Sequence, residues 1–212
     1  MSLPADRLID ILDKISDVII ENTGYLTELD RVIGDADHGL NMSRGFRAVK
    51  EKLPALVGRD AGAVLKTVGM TLVSTVGGAS GPLYGTAFLY AGKALEGKEY
   101  IESGDIGIIA QAVLDGVIKR GKASPGDKTM VDTLYPVTEY ISSLAEAKSA
   151  GPDMVSGIVE EARKGMESTG PLMALKGRAS FLKERSIGPL DPGAVSSFLI
   201  IKAIGDCLAE GI

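Results

Sequence analysis

The stretch GDADHGLN, Gly34 to Asn41, sets Asp35 and Asp37 beside the chain's single histidine, His38, with Asp30 five residues ahead of Asp35. Three carboxylates offer hard oxygen ligands, which suit Mg2+ or Ca2+ rather than zinc or copper. Without a cation, crowding them would raise their pKa values by mutual repulsion. The competing reading is a helix N-cap followed by two solvated loop carboxylates. An EF-hand is excluded: counted from Asp35, its glycine position holds Leu40 and its final glutamate position holds Phe46. Arg31-Val32-Ile33-Gly34 is too short for the buried strand that normally precedes a phosphatase-type aspartate nucleophile. His38 fits a phosphoryl carrier, a general base, a nucleotide contact, or a residue that shapes its own loop.

Two further segments could handle an anion. GGASG, Gly77 to Gly81, lets backbone approach a ligand closely at the start of a helix, which is how phosphates are cradled; a tight interhelical turn reads the same way. The dinucleotide signature G-x-G-x-x-G is absent. Further on, Lys176, Arg178, Lys183 and Arg185 precede the rigid turn Gly188 to Gly193. Arg178 can present a planar fork to phosphate, while most such charges are simply solvated. A connection of roughly 20 structureless residues in a compact domain points to binding.

Helical periodicity runs through nearly all the remaining chain. Apolar spacing predicts helices at about 4–26, 40–56, 60–76, 82–96, 104–120, 129–147, 152–168 and 191–210, the last with Asp191 as N-cap. Met70 and Phe88 read as core residues, and no convincing period-two strand is present. The expectation is one all-α domain, residues 1–212, with eight helices running up and down through short connections. The loops joining helices 1–2, 3–4, 5–6 and 7–8 then share one end. Four helix N-termini point there, each with a positive dipole end.

Composition narrows the function. The 212 residues are enough for one substantial core. A net charge of −5 argues against nucleic acid as the main partner. Cys207, the lone cysteine, allows no intrachain disulfide and no zinc-type spacing. The charged N-terminus lacks a signal-peptide core, and no apolar run approaches the ~18 residues of a bilayer span, so a cytoplasmic protein without a membrane partner is expected.

GDADHGLN with Asp30 before it, GGASGPLYGT, GDKTMVDTL and GRASFLKERSIGPLDPGA, in that order along the chain, closely resemble the nucleotide-binding L subunit of bacterial dihydroxyacetone kinase. The position of Ala36 is often glycine in that family. The resemblance implies an eight-helix antiparallel barrel with ADP bound at one end through two Mg2+ ions. Asp30, Asp35 and Asp37 would hold the metals. His38, Gly39, Leu40 and Asn41 would meet the phosphates at the start of a helix, as would Gly78, Ala79 and Ser80 from the glycine-rich loop. Gly121 and Met130 would border the adenine, Arg178 would clamp phosphate, and Asp191, Pro192 and Gly193 would close over base and ribose. No covalent catalytic residue is implied.

Because the chain begins and ends with the L-like unit, the substrate-binding K subunit is expected to be a separate chain, as in the phosphotransferase-system type. There a retained ADP is phosphorylated to ATP by a multiphosphoryl donor, the M subunit, and the group passes to dihydroxyacetone on K. An L subunit using exchangeable ATP, and a nucleotide-state-dependent partner of a transcription regulator, are the alternatives.

Overall fold

The computed structural model describes residues 2–146 and 153–210. The last residue of the predicted helix 129–147 and the predicted Ser-Ala-Gly-Pro turn lie outside the described residues. The described chain runs through β1 (Ser2–Pro4), α1 (Arg7–Glu21), α2 (Thr23–Ile33), α3 (His38–Lys52), a 3-10 turn (Leu53–Leu56), α4 (Ala61–Thr75), α5 (Ser80–Ala94), β2 (Tyr100–Glu102), α6 (Asp105–Gly121), α7 (Met130–Glu146), α8 (Met154–Ser168), a 3-10 segment (Arg178–Ser186) and α9 (Pro192–Ala209).

Among the described residues, eight of these helices close a ring. Each of α3 to α9 packs on the next, and α1 closes the circle between α3 and α9. Inward faces supply the core: Leu12, Ile15 and Ile19 from α1, Met42 and Phe46 from α3, and Leu72 from α4. Phe88 of α5 meets Phe46 edge-on, with centroids 6.5 Å apart. An apolar cavity of about 310 Å³ remains inside the ring. α9 is long and apolar enough, by length and composition alone, to cross a membrane. It sits against α1, α7 and α8 as a core helix.

The seam between α4 and α5 depends on glycine. A Cβ on Gly69 would come within 2.8 Å of the Gly85 carbonyl and 2.9 Å of the Leu89 nitrogen. Gly69→Val should therefore overpack the seam and cost about 1–3 kcal/mol, read as a lower midpoint in urea. An unchanged midpoint would show that the two helices separate easily.

Several expectations need correction. The predicted helix 4–26 is two helices: Asn22 leaves the helical region at φ −89° and ψ 10°, its side-chain amide sharing the Val18 carbonyl with its own backbone N–H at 2.8 and 3.1 Å, and α2 continues to Ile33. Asp30 is thus on a helix, and the acidic loop shrinks to residues 34–37. A short antiparallel sheet does exist, pairing Leu3 with Ile101, at the end away from that loop. Three-residue strands are too short to show a period. Met70 is 56 % exposed, because α4 is apolar on nearly every face and periodicity alone could not orient it.

Candidate functional site

α2 delivers Asp30 and the loop to α3 delivers Asp35 and Asp37. The Asp30 carboxylate is buried, and its Oδ2 accepts from the Asp37 backbone N–H at 2.8 Å and the His38 N–H at 3.1 Å. Asp37 stands at the N-cap position of α3 yet makes no side-chain cap; Asp30 caps the helix from seven residues upstream. That leaves the Asp37 carboxylate free of the capping role. Gly34 permits the arrangement, since a Cβ there would overlap the Asp30 carboxylate. Ala36 takes a left-handed φ of 61°, a conformation glycine adopts without strain.

One oxygen from each of Asp30, Asp35 and Asp37 lies within 4.8 Å of the others. Oxygens on opposite sides of an octahedral Mg2+ are about 4 Å apart, so small side-chain rotations would bring all three onto one ion. An all-carboxylate donor set fits a hard divalent cation. Arg178 also reaches the cluster, its Nη2 lying 3.0 Å from Asp35 Oδ2.

His38 is buried with both ring nitrogens engaged. Nδ1 is 3.0 Å from Ser80 Oγ at the start of α5, and Nε2 is 2.9 Å from Ser196 Oγ in α9. Burial pulls the imidazole down to about 4, against the opposing pull of the Asp30 and Asp37 charges, so it is neutral near pH 7. The ring ties the starts of three helices together. Ser196 Oγ donates onward to the Pro192 carbonyl at 2.9 Å, and Tyr84 OH bonds Gly193 O, Ser196 Oγ and Ser197 Oγ within 2.9 Å. Sequence reading missed Tyr84, Ser196 and Ser197. Their separations of over a hundred residues leave no local signal.

Beside these groups lies a cleft of about 540 Å³ at the mouth of the ring. Its walls include Gly78, Ala79, Ser80, Gly121, Met130, Arg178, Asp191, Pro192 and Gly193, together with the three aspartates and His38. Gly78 turns through a left-handed φ of 63° into α5. Asn41 props that loop: its Oδ1 accepts from Arg44 Nη2 at 2.7 Å, and Arg44 Nε donates to the Thr75 carbonyl at 2.7 Å. Gly39, Leu40 and Asn41 do not line the cleft, and Leu40 points outward with its side chain exposed. Leu83, Val117 and Met130 make one wall apolar, suited to a purine face, while the helix starts opposite suit phosphate. Tyr84 and Met130 border both this cleft and the ring's inner cavity, whose other walls are almost wholly apolar and unsuited to phosphate.

The connection from α8 to α9 is not structureless. It holds the 3-10 segment, and Ala174, Ala179 and Leu182 pack on Ile33 of α2. Lys128, another residue the sequence reading missed, is buried at the base of this connection.

Asp191 caps α9 by accepting from the Ala194 N–H at 2.7 Å. Burial pushes its carboxyl from the ordinary 3.8 up to about 7, with Asp132 adding to the shift while the Ala194 N–H and Lys128 oppose it. A proton held more tightly by the folded chain stabilises it fully below about pH 4, and that contribution is lost as pH rises through 7. Asp191→Asn keeps a capping oxygen and stays neutral. Its melting temperature should gain on the parent's between pH 5 and pH 8; a pH-independent difference would contradict the shift.

A family model for the DAK2 domain matches residues 32–206. The chain is 45% identical over 204 residues to the "PEP-dependent dihydroxyacetone kinase, ADP-binding subunit DhaL" of Escherichia coli K12, covering 96% of this chain and 97% of that one. It is 41% identical over 207 residues to the PTS-dependent dihydroxyacetone kinase ADP-binding subunit of Lactococcus lactis, covering 98% and 100%. The crystal structure of C. freundii dihydroxyacetone kinase in complex with AMP-PNP and Mg2+ superposes with a TM-score of 0.70 at 26% identity, over 96% of this chain and 33% of that one. With the ring, the acidic cluster and a cleft of about 540 Å³ in one place, these matches place the chain in the DAK2 domain family, among the nucleotide-binding L subunits of dihydroxyacetone kinase, which are components of a phosphotransferase.

Proposed function

We propose that this chain accepts a phosphoryl group from a phosphotransferase-system donor, the M subunit, on a retained ADP, and hands it to dihydroxyacetone held on a separate K subunit. The observation that carries this reading is the convergence of three aspartates and four helix N-termini on one cleft. Asp30, Asp35 and Asp37 would hold the metal, with two Mg2+ ions expected. Divalent cations there would neutralise phosphate oxygens and the charge that develops during transfer.

The chain's own residues do the positioning. Ser80 and the Gly78–Ala79 backbone present the α5 N-terminus to phosphate. Arg178 supplies a guanidinium within reach of both the acids and the cleft. Gly121 and Met130 flank the base, while Asp191, Pro192 and Gly193 form the wall beside the ribose. His38 holds these starts in register rather than carrying phosphate itself. A cytoplasmic setting follows from donors of this kind, and a transcription regulator could read the nucleotide state through the same mouth.

The test combines purified protein with K, the active donor subunits, phosphoenolpyruvate and dihydroxyacetone. Dihydroxyacetone phosphate should form, and ADP should remain with the protein through dialysis. No product with every partner verified active would overturn the proposal, and product formed only with added free ATP would favour the exchangeable-nucleotide reading.

A further inference from the structure

Lys128 is 1 % exposed, and its bonds run to main-chain carbonyls. Nζ donates to Thr169 O at 2.6 Å, to Pro189 O at 2.6 Å and, more weakly, to Gly170 O at 3.4 Å. A buried ammonium is costly unless its protons are all used, and burial lowers its pKa while the nearby Asp191 and Asp132 raise it. The carbonyls it chooses are informative. Thr169 and Gly170 end α8, where the helix dipole favours a cation, and Pro189 stands two residues before the cap of α9.

The lysine is itself held firmly. It sits at a left-handed φ of 60° in a turn whose Gly126 and Thr129 N–H groups donate to the Asp132 carboxylate at 2.5 and 2.7 Å. The neck it spans is closed further by Gly188 N–H donating to Gly170 O at 2.8 Å and by Asp191 N–H donating to Thr169 Oγ1 at 3.1 Å. Between the two ends of the neck lies the segment that brings Arg178 to Asp35.

We infer that Lys128 is a positioning residue: its ammonium clasps both ends of the 169–191 connection, keeps Arg178 and Asp191 at the cleft, and so slows the departure of bound nucleotide. The retention half of this inference rests on the function proposed above; the clasp itself does not. A lysine contributing only to overall stability would loosen the whole ring when removed, whereas a clasp loosens one connection.

The experiment compares the full chain with Lys128→Met, and with Lys128→Gln should the methionine variant not fold. Hydrogen exchange of residues 171–190 is measured without nucleotide, and ADP dissociation is measured in Mg2+. Exchange in that connection should accelerate at least tenfold while α4 and α5 change less than twofold, and ADP should leave at least tenfold faster. Lys128→Cys in a Cys207→Ala background, aminoethylated while unfolded and then refolded, restores an ammonium and should return both values to within twofold of the Cys207→Ala parent. Unchanged exchange in the connection, uniform acceleration across the ring, or failed rescue would overturn the inference. A parent chain that holds no ADP would sink the proposed function instead, and the exchange data alone would then decide the clasp.

Discussion

Replacing Asp35 with alanine should weaken ADP binding in Mg2+ by roughly a hundredfold, about 2.8 kcal/mol, while leaving the melting temperature nearly unchanged. Asp35 is partly exposed, and its recorded partner is Arg178, itself 69 % exposed at the side chain, so the folded chain loses little when the pair goes. Its value lies in charge directed at a ligand. Asp30 behaves differently because it holds the Asp37 and His38 N–H groups. Asp30→Ala should lose nucleotide and also about 2 kcal/mol of stability, the cost of an uncapped helix start. Asp30→Asn, which keeps an acceptor oxygen, should recover most of the stability and little of the binding. Calorimetric titration with ADP alongside urea unfolding separates the two effects. Equal loss of stability in the Asp35 and Asp30 variants would refute this division of labour, and full ADP affinity in Asp35→Ala would refute the metal assignment.

His38→Ala should lower stability by about 3 kcal/mol, since it deletes one buried and one partly buried hydrogen bond and opens a cavity where three helices start. For a chain of this size that is a fall of roughly 6–12 °C in melting temperature. A phosphoryl carrier would behave otherwise, because its removal stops transfer without unsettling the fold. The neutral, fully engaged ring argues for the positioning role. Labelled phosphoenolpyruvate with the donor subunits should therefore leave label on nucleotide, with no acid-labile phosphohistidine on this chain. Labelled His38, or an alanine variant as stable as the parent, would reverse the assignment.

The sequence shows the ring's helices because each buries one face at a regular spacing, and shows the acids because three aspartates within eight residues stand out. It hides what depends on distant partners. Asp30 looked like a loop ligand, yet the Asn22 break lets α2 carry it into the core as a cap. Lys128 carries no local mark, because its carbonyl partners, 41 to 61 residues away, come together around it only in the fold. Tyr84 and Ser196 carry no local mark either, since only ring closure brings α5 against the start of α9. The 169–190 connection stands out in the sequence by its length and its arginine. Its 3-10 segment does not, because short turns packed on Ile33 leave no periodic pattern.

The central claim is that Asp30, Asp35 and Asp37 hold divalent cations against a diphosphate at the mouth of the ring. Crystals grown with ADP and Mn2+ in place of Mg2+ test it directly, since anomalous scattering locates the metal independently of the protein. The account predicts anomalous peaks in direct ligand contact with all three carboxylates and with ADP phosphate oxygens. ADP bound in the cleft with the three acids free of metal, or manganese bound elsewhere on the chain, would contradict it.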